Sequence, residues 1–228
     1  YEEAAAQGLV AAIGVAKRLR GVAPVQFDRS TSYIGVMIDD LTSRGATEPY
    51  RMFTSRAEFR LKLRADNADQ RLTDQGHTSG CVSSERFTQY LDKIEKLNFC
   101  RDMLSDMAVS PNQARVAGID LGLDGRRRNG HELLAIPGVS INHLTALEPL
   151  LFDGDADALK QASREALYVT YIKRQGRDIE ALARDLSVQI PPGFKYAGLS
   201  GLSSEMISKL SEVRPKSLGA AKNIEGIT

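Results

Sequence analysis

The sequence has no tryptophan and only two cysteines in 228 residues, Cys81 and Cys100. Their separation matches neither the Cys-x-x-Cys spacing of a redox or metal site nor the density of a secreted disulfide scaffold, so reduced thiols are expected. His77, His131 and His143 are scattered and complete no ligand pattern with the cysteines, and no metal site is expected. No apolar run approaches the roughly 20 residues that cross a bilayer. The start lacks a basic-then-apolar signal. A cytoplasmic chain without membrane association is therefore expected. No nucleophile stands beside a base, and no carboxylates are paired at acid–base spacing, so no catalytic residue is assigned.

What is present is a composition of 42% hydrophobic and 26% charged residues with a net charge of +1, typical of a soluble chain of one or two domains. The near-neutral total hides an asymmetry. Arg51 to Arg64 is basic, whereas Asp153, Asp155 and Asp157 form a small acidic cluster. The chain opens on Tyr1-Glu2-Glu3-Ala4-Ala5-Ala6-Gln7-Gly8 without an initiator Met and stops just after Ile224-Glu225-Gly226-Ile227-Thr228, so a piece of a longer protein is expected.

Periodicity predicts a mainly α fold, a helical bundle-like region with one short β segment. Ala5, Leu9, Ala12, Ile13 and Ala16 recur at helical spacing before Gly21 and Pro24, as in a helix made to be buried against another element. Ile34, Met37, Ile38 and Leu41 stripe a second helix over Tyr33 to Ser43, closed by Gly45. Phe59, Leu61 and Leu63 alternate with Arg60, Lys62 and Arg64; this period of two argues for a strand with one basic face, with a helix as the alternative. Phe87, Tyr90, Leu91, Ile94, Leu97 and Leu104 then stripe a helix capped by Ser83 or Ser84.

The longest predicted helix covers Asp155 to Gln189, with Leu159, Ala162, Ala166, Val169, Ile172, Ile179, Leu182 and Leu186 inward and Gly176 as a weak point. Pro191-Pro192-Gly193 ends it. Ser203 caps a helix carrying Met206, Ile207, Leu210 and Val213, and Ser217 caps a last one carrying Leu218, Ala221 and Ile224, terminated by Gly226. The division expected is 1–45, a basic connector at 46–75, a helical domain at 76–190 and a small helical tail at 191–228, with breaks at Gly122–Gly130 and at the proline bend.

The run from Glu48 to Thr73 places five arginines and one lysine among regular apolar residues. Either these cations pair with Glu48, Glu58, Asp66 and Asp69, or they neutralise phosphates in a salt-sensitive interface. Arginine also stacks on unpaired bases, as RNA loops require. Leu134-Ala135-Ile136-Pro137-Gly138-Val139 and Ala221 to Ile227 look like helix-hairpin-helix words, and an ordinary helix turn is the competing reading for both. Arg126-Arg127-Arg128 reads as a solvated loop.

Tyr1 to Gly8, Tyr33-Ile34-Gly35-Val36-Met37-Ile38-Asp39-Asp40-Leu41, the basic segment, Tyr171-Ile172-Lys173-Arg174-Gln175, and Gly201-Leu202-Ser203-Ser204-Glu205 through Ile224-Glu225-Gly226-Ile227-Thr228 resemble, in order, the FAD-dependent tRNA uridine 5-carboxymethylaminomethyl modification enzyme family, also called glucose-inhibited division protein A. The resemblance implies the C-terminal part of an enzyme that acts with a GTPase on C5 of the wobble uridine of tRNA. FAD and NADH supply its redox chemistry toward a folate-derived methylene group, and the full-length protein is a homodimer. It also implies that the first helix is the last element of the FAD domain, with Glu3 and Gln7 as cofactor contacts, although FAD is not expected to bind this piece alone. Arg51, Arg56, Arg60, Lys62 and Arg64 are the implied RNA contacts. Lys195, Ala220 and Lys222 depart from the family pattern. The alternative is a protein-binding scaffold that never touches RNA.

Overall fold

Six consecutive good helix formers at the start, two of them acidic, and Lys17 and Arg18 at the other end suit the helix dipole, and α1 runs Glu2–Leu19. The computed structural model describes all residues except 44, 46, 47, 123, 150–152, 223, 225 and 228; within 156–187 the side chains of 170, 174, 177–179, 182, 183 and 186 are also excluded. The expected inward positions Ile179, Leu182 and Leu186 lie outside the described side chains, as do Asn223 and Glu225 of the second hairpin word. Two compact units are present, one built from 1–64 with 174–228 and the other from 65–173.

In the first unit only Ile13 of α1 is buried, and Leu9, Val15 and Leu19 are exposed. Helix α2, Tyr33–Ser43, begins where the Ser32 hydroxyl accepts from the Gly35 N–H at 2.9 Å. Its buried face is Gly35, Val36, Met37 and Asp40, with Ile34, Ile38 and Leu41 only half-buried, so the expected stripe is rotated. A carboxylate rather than an isoleucine goes inward because a buried arginine meets it.

The predicted strand does not form. Thr54–Arg56 is a short 3-10 turn, and the Lys62 and Leu63 N–H groups both donate to the Phe59 carbonyl, at 2.8 and 3.0 Å. That winding puts Phe59 and Leu63 on one side, where they pack with Val36 and Ala57. Among the described residues the β structure consists of two isolated bridges, Val109 with Arg128 and Gln189 with Ser217.

The second unit contains α3 (Ala68–Thr78), α4 (Ser84–Asp106), α5 (Pro111–Val116), α6 (Gly130–Leu134) and α7 (Ile141–Thr145), together with the first part of α8 (Ala156–Ser187). Ser83 caps α4 by accepting from the Arg86 N–H, and Asp155 caps α8 by accepting from the Asp157 and Ala158 N–H groups. Leu97, Cys100 and Leu104 of α4 meet Leu133, Leu134, Leu144, Leu159 and Ala162 in the core. Leu91, expected inward, is exposed. The first hairpin word forms the turn between α6 and α7, with Gly138 at φ +86°. Arg101 forks onto Glu165 at 2.8 and 2.9 Å and reaches Gln70 at 2.8 Å, joining α3, α4 and α8.

The described helix α8 is continuous through Gly176. In the tail, Ser203 caps α9, Ser204–Val213, and α10 is Leu218–Lys222. Tyr196, Leu210, Ala221 and Ile224 form their core. Val213 and Leu218, expected inward, are exposed, since the close approach of α10 is made through Gly219 and Ala221.

Candidate nucleic-acid interface

The basic segment is organised by a residue outside it. Arg29 is 5% exposed and its two terminal nitrogens reach Asp40 at 2.7 Å, Asp39 at 3.0 Å and Glu58 at 2.9 and 3.1 Å. They also donate to the carbonyls of Val36 and Arg56 at 3.3 and 3.1 Å. Burial opposes the charge on this guanidinium, and the Asp40 hydrogen bond with the attraction of Glu58 and Asp39 overcomes it, holding Arg29 above its ordinary value. Arg29 thereby ties α2 to the start of the basic segment. The Tyr50 hydroxyl donates to the other Asp40 oxygen at 2.8 Å, and burial followed by that bond pushes the phenol up.

Three of the four acids that could capture the segment's cations have described partners outside it. Glu58 faces Arg29, Asp66 accepts from Gln161 at 2.9 Å, and Asp69 pairs with Lys93. Of the predicted RNA contacts, Arg51, Arg56 and Arg60 are exposed, while Lys62 and Arg64 are half-buried. Arg56 lies 3.7 Å from Asp40 and 4.9 Å over the Tyr50 ring. Arg51 lies 5.5 Å over Phe53, itself exposed. Both are cation–π arrangements, which hold a guanidinium without neutralising it, and Arg56 adds the approach to Asp40. Arg64 donates to the Leu61 carbonyl at 3.0 Å. Exposed guanidinium groups of this kind can hydrogen-bond phosphate oxygens and offer flat planes to bases.

The predicted cofactor contacts are placed differently. Glu3 accepts from the Met52 N–H at 2.9 Å, and that bond holds its carboxyl below the ordinary range. Gln7 is exposed. Beside Glu3 a cleft of about 430 Å³ is lined by Glu2, Ala6, Tyr33, Ile34, Met37 and Met52. Two carboxylates and apolar side chains make no cradle for a dinucleotide's phosphates, so the residues present do not by themselves fit FAD. No group of three metal-ligating side chains occurs among the described residues, and no helix there is long and apolar enough to cross a membrane.

Sequence reasoning missed Arg29. The available signal was Asp40, three positions after Met37 on the apolar side of a helix. A carboxylate there demands a cation, and Arg29 is the basic residue just before the helix.

Two family descriptions match consecutive stretches: the tRNA modifying enzyme MnmG/GidA C-terminal helical domain over residues 84–176, and the C-terminal helical bundle of the same enzyme over 178–228. The tRNA uridine 5-carboxymethylaminomethyl modification enzyme MnmG of Granulibacter bethesdensis is 42% identical over the whole chain, and that of Syntrophotalea carbinolica 44%; the chain covers 36% and 37% of them. Aquifex aeolicus GidA in its form II crystal superposes on the entire chain with a TM-score of 0.80 at 33% identity, the match covering 36% of that protein. The chain thus spans little more than a third of the length of the curated relatives it matches. With matches running in register from the first residue to the last and both C-terminal helical descriptions satisfied, the chain belongs to the MnmG/GidA family of tRNA-modifying enzymes, in its C-terminal helical part.

Proposed function

We propose that this chain docks tRNA for an enzyme that modifies C5 of the wobble uridine. The supporting observation is that Arg51, Arg56 and Arg60 remain exposed, with Arg29 drawing Asp39, Asp40 and Glu58 toward itself and Arg56 sharing only Asp40, at 3.7 Å. Exposed guanidinium groups neutralise phosphates and release counterions. Lys62 and Arg64 lie at the half-buried edge of the same segment.

The redox step, with FAD and NADH, belongs in this reading to the part of the longer relatives outside the chain. Glu3 and Gln7 stand at the edge of that part, and no step is routed through them. A GTPase of the same pathway is the protein partner, the whole enzyme is a homodimer, and it works in the cytoplasm.

The test is a tRNA titration at several salt concentrations with the parent chain and the Arg51→Ala/Arg56→Ala/Arg60→Ala variant. Weaker binding and a shallower salt dependence support the reading. Unchanged tRNA binding, with retained binding of the GTPase in the absence of RNA, would assign the chain to a protein scaffold instead.

A further inference from the structure

The tail of the first unit holds a second basic cleft that the arginine connector does not account for. Its volume is about 580 Å³, within the roughly 300–1,000 Å³ of small-ligand sites. Lys195, Arg214 and Lys216 line it, and among the described residues no carboxylate does. None of the three is in an ion pair with a described residue; Arg214 Nε donates only to the Ser211 carbonyl, at 3.4 Å. Three uncompensated cations around one cleft are a marked local excess in a chain whose net charge is +1.

The cleft also carries a fixed aromatic ring. Phe194 is 45% exposed, and it meets the buried Tyr196 edge to face, with ring centroids 5.3 Å apart. Pro191 and Pro192 stiffen the adjoining wall. The two lips are held by Ile190 N–H to Lys216 carbonyl and Leu218 N–H to Val188 carbonyl, both 2.9 Å. Arg214 is the non-glycine residue at positive φ among the described residues, at +49°. Glycine would suit this helix-terminating position with less strain, and an arginine held there keeps a guanidinium at the cleft.

We propose that this cleft binds one unpaired nucleotide of single-stranded RNA, its phosphate among Lys195, Arg214 and Lys216 and its base against Phe194. The inference rests on the reading of RNA as the chain's partner. An acidic peptide would satisfy the cations and leave the ring unused, whereas a nucleotide uses both.

The chain's lack of tryptophan supplies the probe. In the full chain, Phe194→Trp places a single indole at the cleft, and stacking of a base quenches it. Oligouridylate should quench that emission saturably. Lys195→Glu with Lys216→Glu should weaken the midpoint by about tenfold or more, since two phosphate-facing charges are reversed. In chains without the introduced tryptophan, anisotropy of labelled oligouridylate should show Phe194→Leu binding about fivefold weaker than the parent, or worse. Leu91→Ala, exposed on α4, should leave the quenching midpoint within about twofold.

A silent indole, with tRNA still bound through the connector arginines, overturns this site and leaves the proposed function standing. Quenching by oligouridylate with a connector that makes no difference to tRNA supports the site and removes the connector reading. Equal displacement of the labelled RNA by polyglutamate, with no weakening in Phe194→Leu, overturns the nucleotide and assigns the cleft to an acidic protein segment.

Discussion

Arg29 and Asp40 meet at 2.7 Å between a guanidinium 5% exposed and a carboxylate 3% exposed. Two charges so removed from water persist because each is shared: Arg29 with Asp39 and Glu58, Asp40 with Tyr50 and Arg56. The cluster fixes the course of the chain from α2 to the first basic residues, and so determines which arginines face solvent.

Removing the cation leaves the buried Asp40 carboxylate with only the Tyr50 hydroxyl and the longer approach of Arg56. Arg29→Met should cost about 3–5 kcal/mol of stability, the usual penalty for breaking one side of a buried pair. Arg29→Lys should recover only part of it, since an ammonium cannot reproduce the fork that reaches Asp40 and Glu58 together. Urea unfolding measures both. A loss within about 0.5 kcal/mol, the range of ordinary surface changes, would contradict the role given to Arg29.

Gly35→Ala inverts a familiar expectation. In an exposed helix the change is favourable by about 1 kcal/mol. Here a Cβ would lie 2.1 Å from the Asp28 carbonyl oxygen, which is backbone and cannot step aside. A net destabilisation of about 1–3 kcal/mol is expected, as for other overpacked sites. Amide exchange should also report faster opening at Ser32 and Val36.

Arg56→Ala with Arg60→Ala should reduce the slope of log K against log salt for tRNA by about 0.7–0.9 for each phosphate that is no longer neutralised. Binding measured at three salt concentrations gives the slope. Weaker affinity with an unaltered slope would mean that the two arginines act on folding rather than on phosphates.

Leu104→Ala opens a cavity among Leu97, Leu133 and Leu144, all fully buried. A loss of about 2–5 kcal/mol is expected by calorimetry or urea. Leu91→Ala on the same helix, at an exposed position, should stay within about 0.5 kcal/mol.

Glu3 offers a pH test. Its carboxyl is held low by the Met52 N–H, so the folded form is the better acid. The tether is therefore fully present above the ordinary glutamate value and is lost as pH falls through the depressed folded value. Carboxyl NMR should place the Glu3 midpoint below that of an unstructured glutamate, and Glu3→Gln should remove the pH-dependent part of the Met52 amide shift. A midpoint at the ordinary value would show the bond to be unoccupied in solution.

The sequence by itself determined the helical class, the cap at Ser203, a cap at Ser83 or Ser84 and the span of α2, because capping chemistry and a 3.6-residue period are local properties of the chain, and its ordered motifs carried the family resemblance. It also placed the cations of the connector, without deciding their state. Tertiary structure decided that Phe59 to Leu63 winds into turns instead of extending: alternation over five residues is too short to outweigh the burial of Phe59 and Leu63 on one side. It also turned Asp40 inward, recruited Arg29 to three acids and left Arg51, Arg56 and Arg60 exposed. The physical reason is that a charge is buried only when a partner distant in sequence arrives to share it, and that meeting is a property of the folded chain.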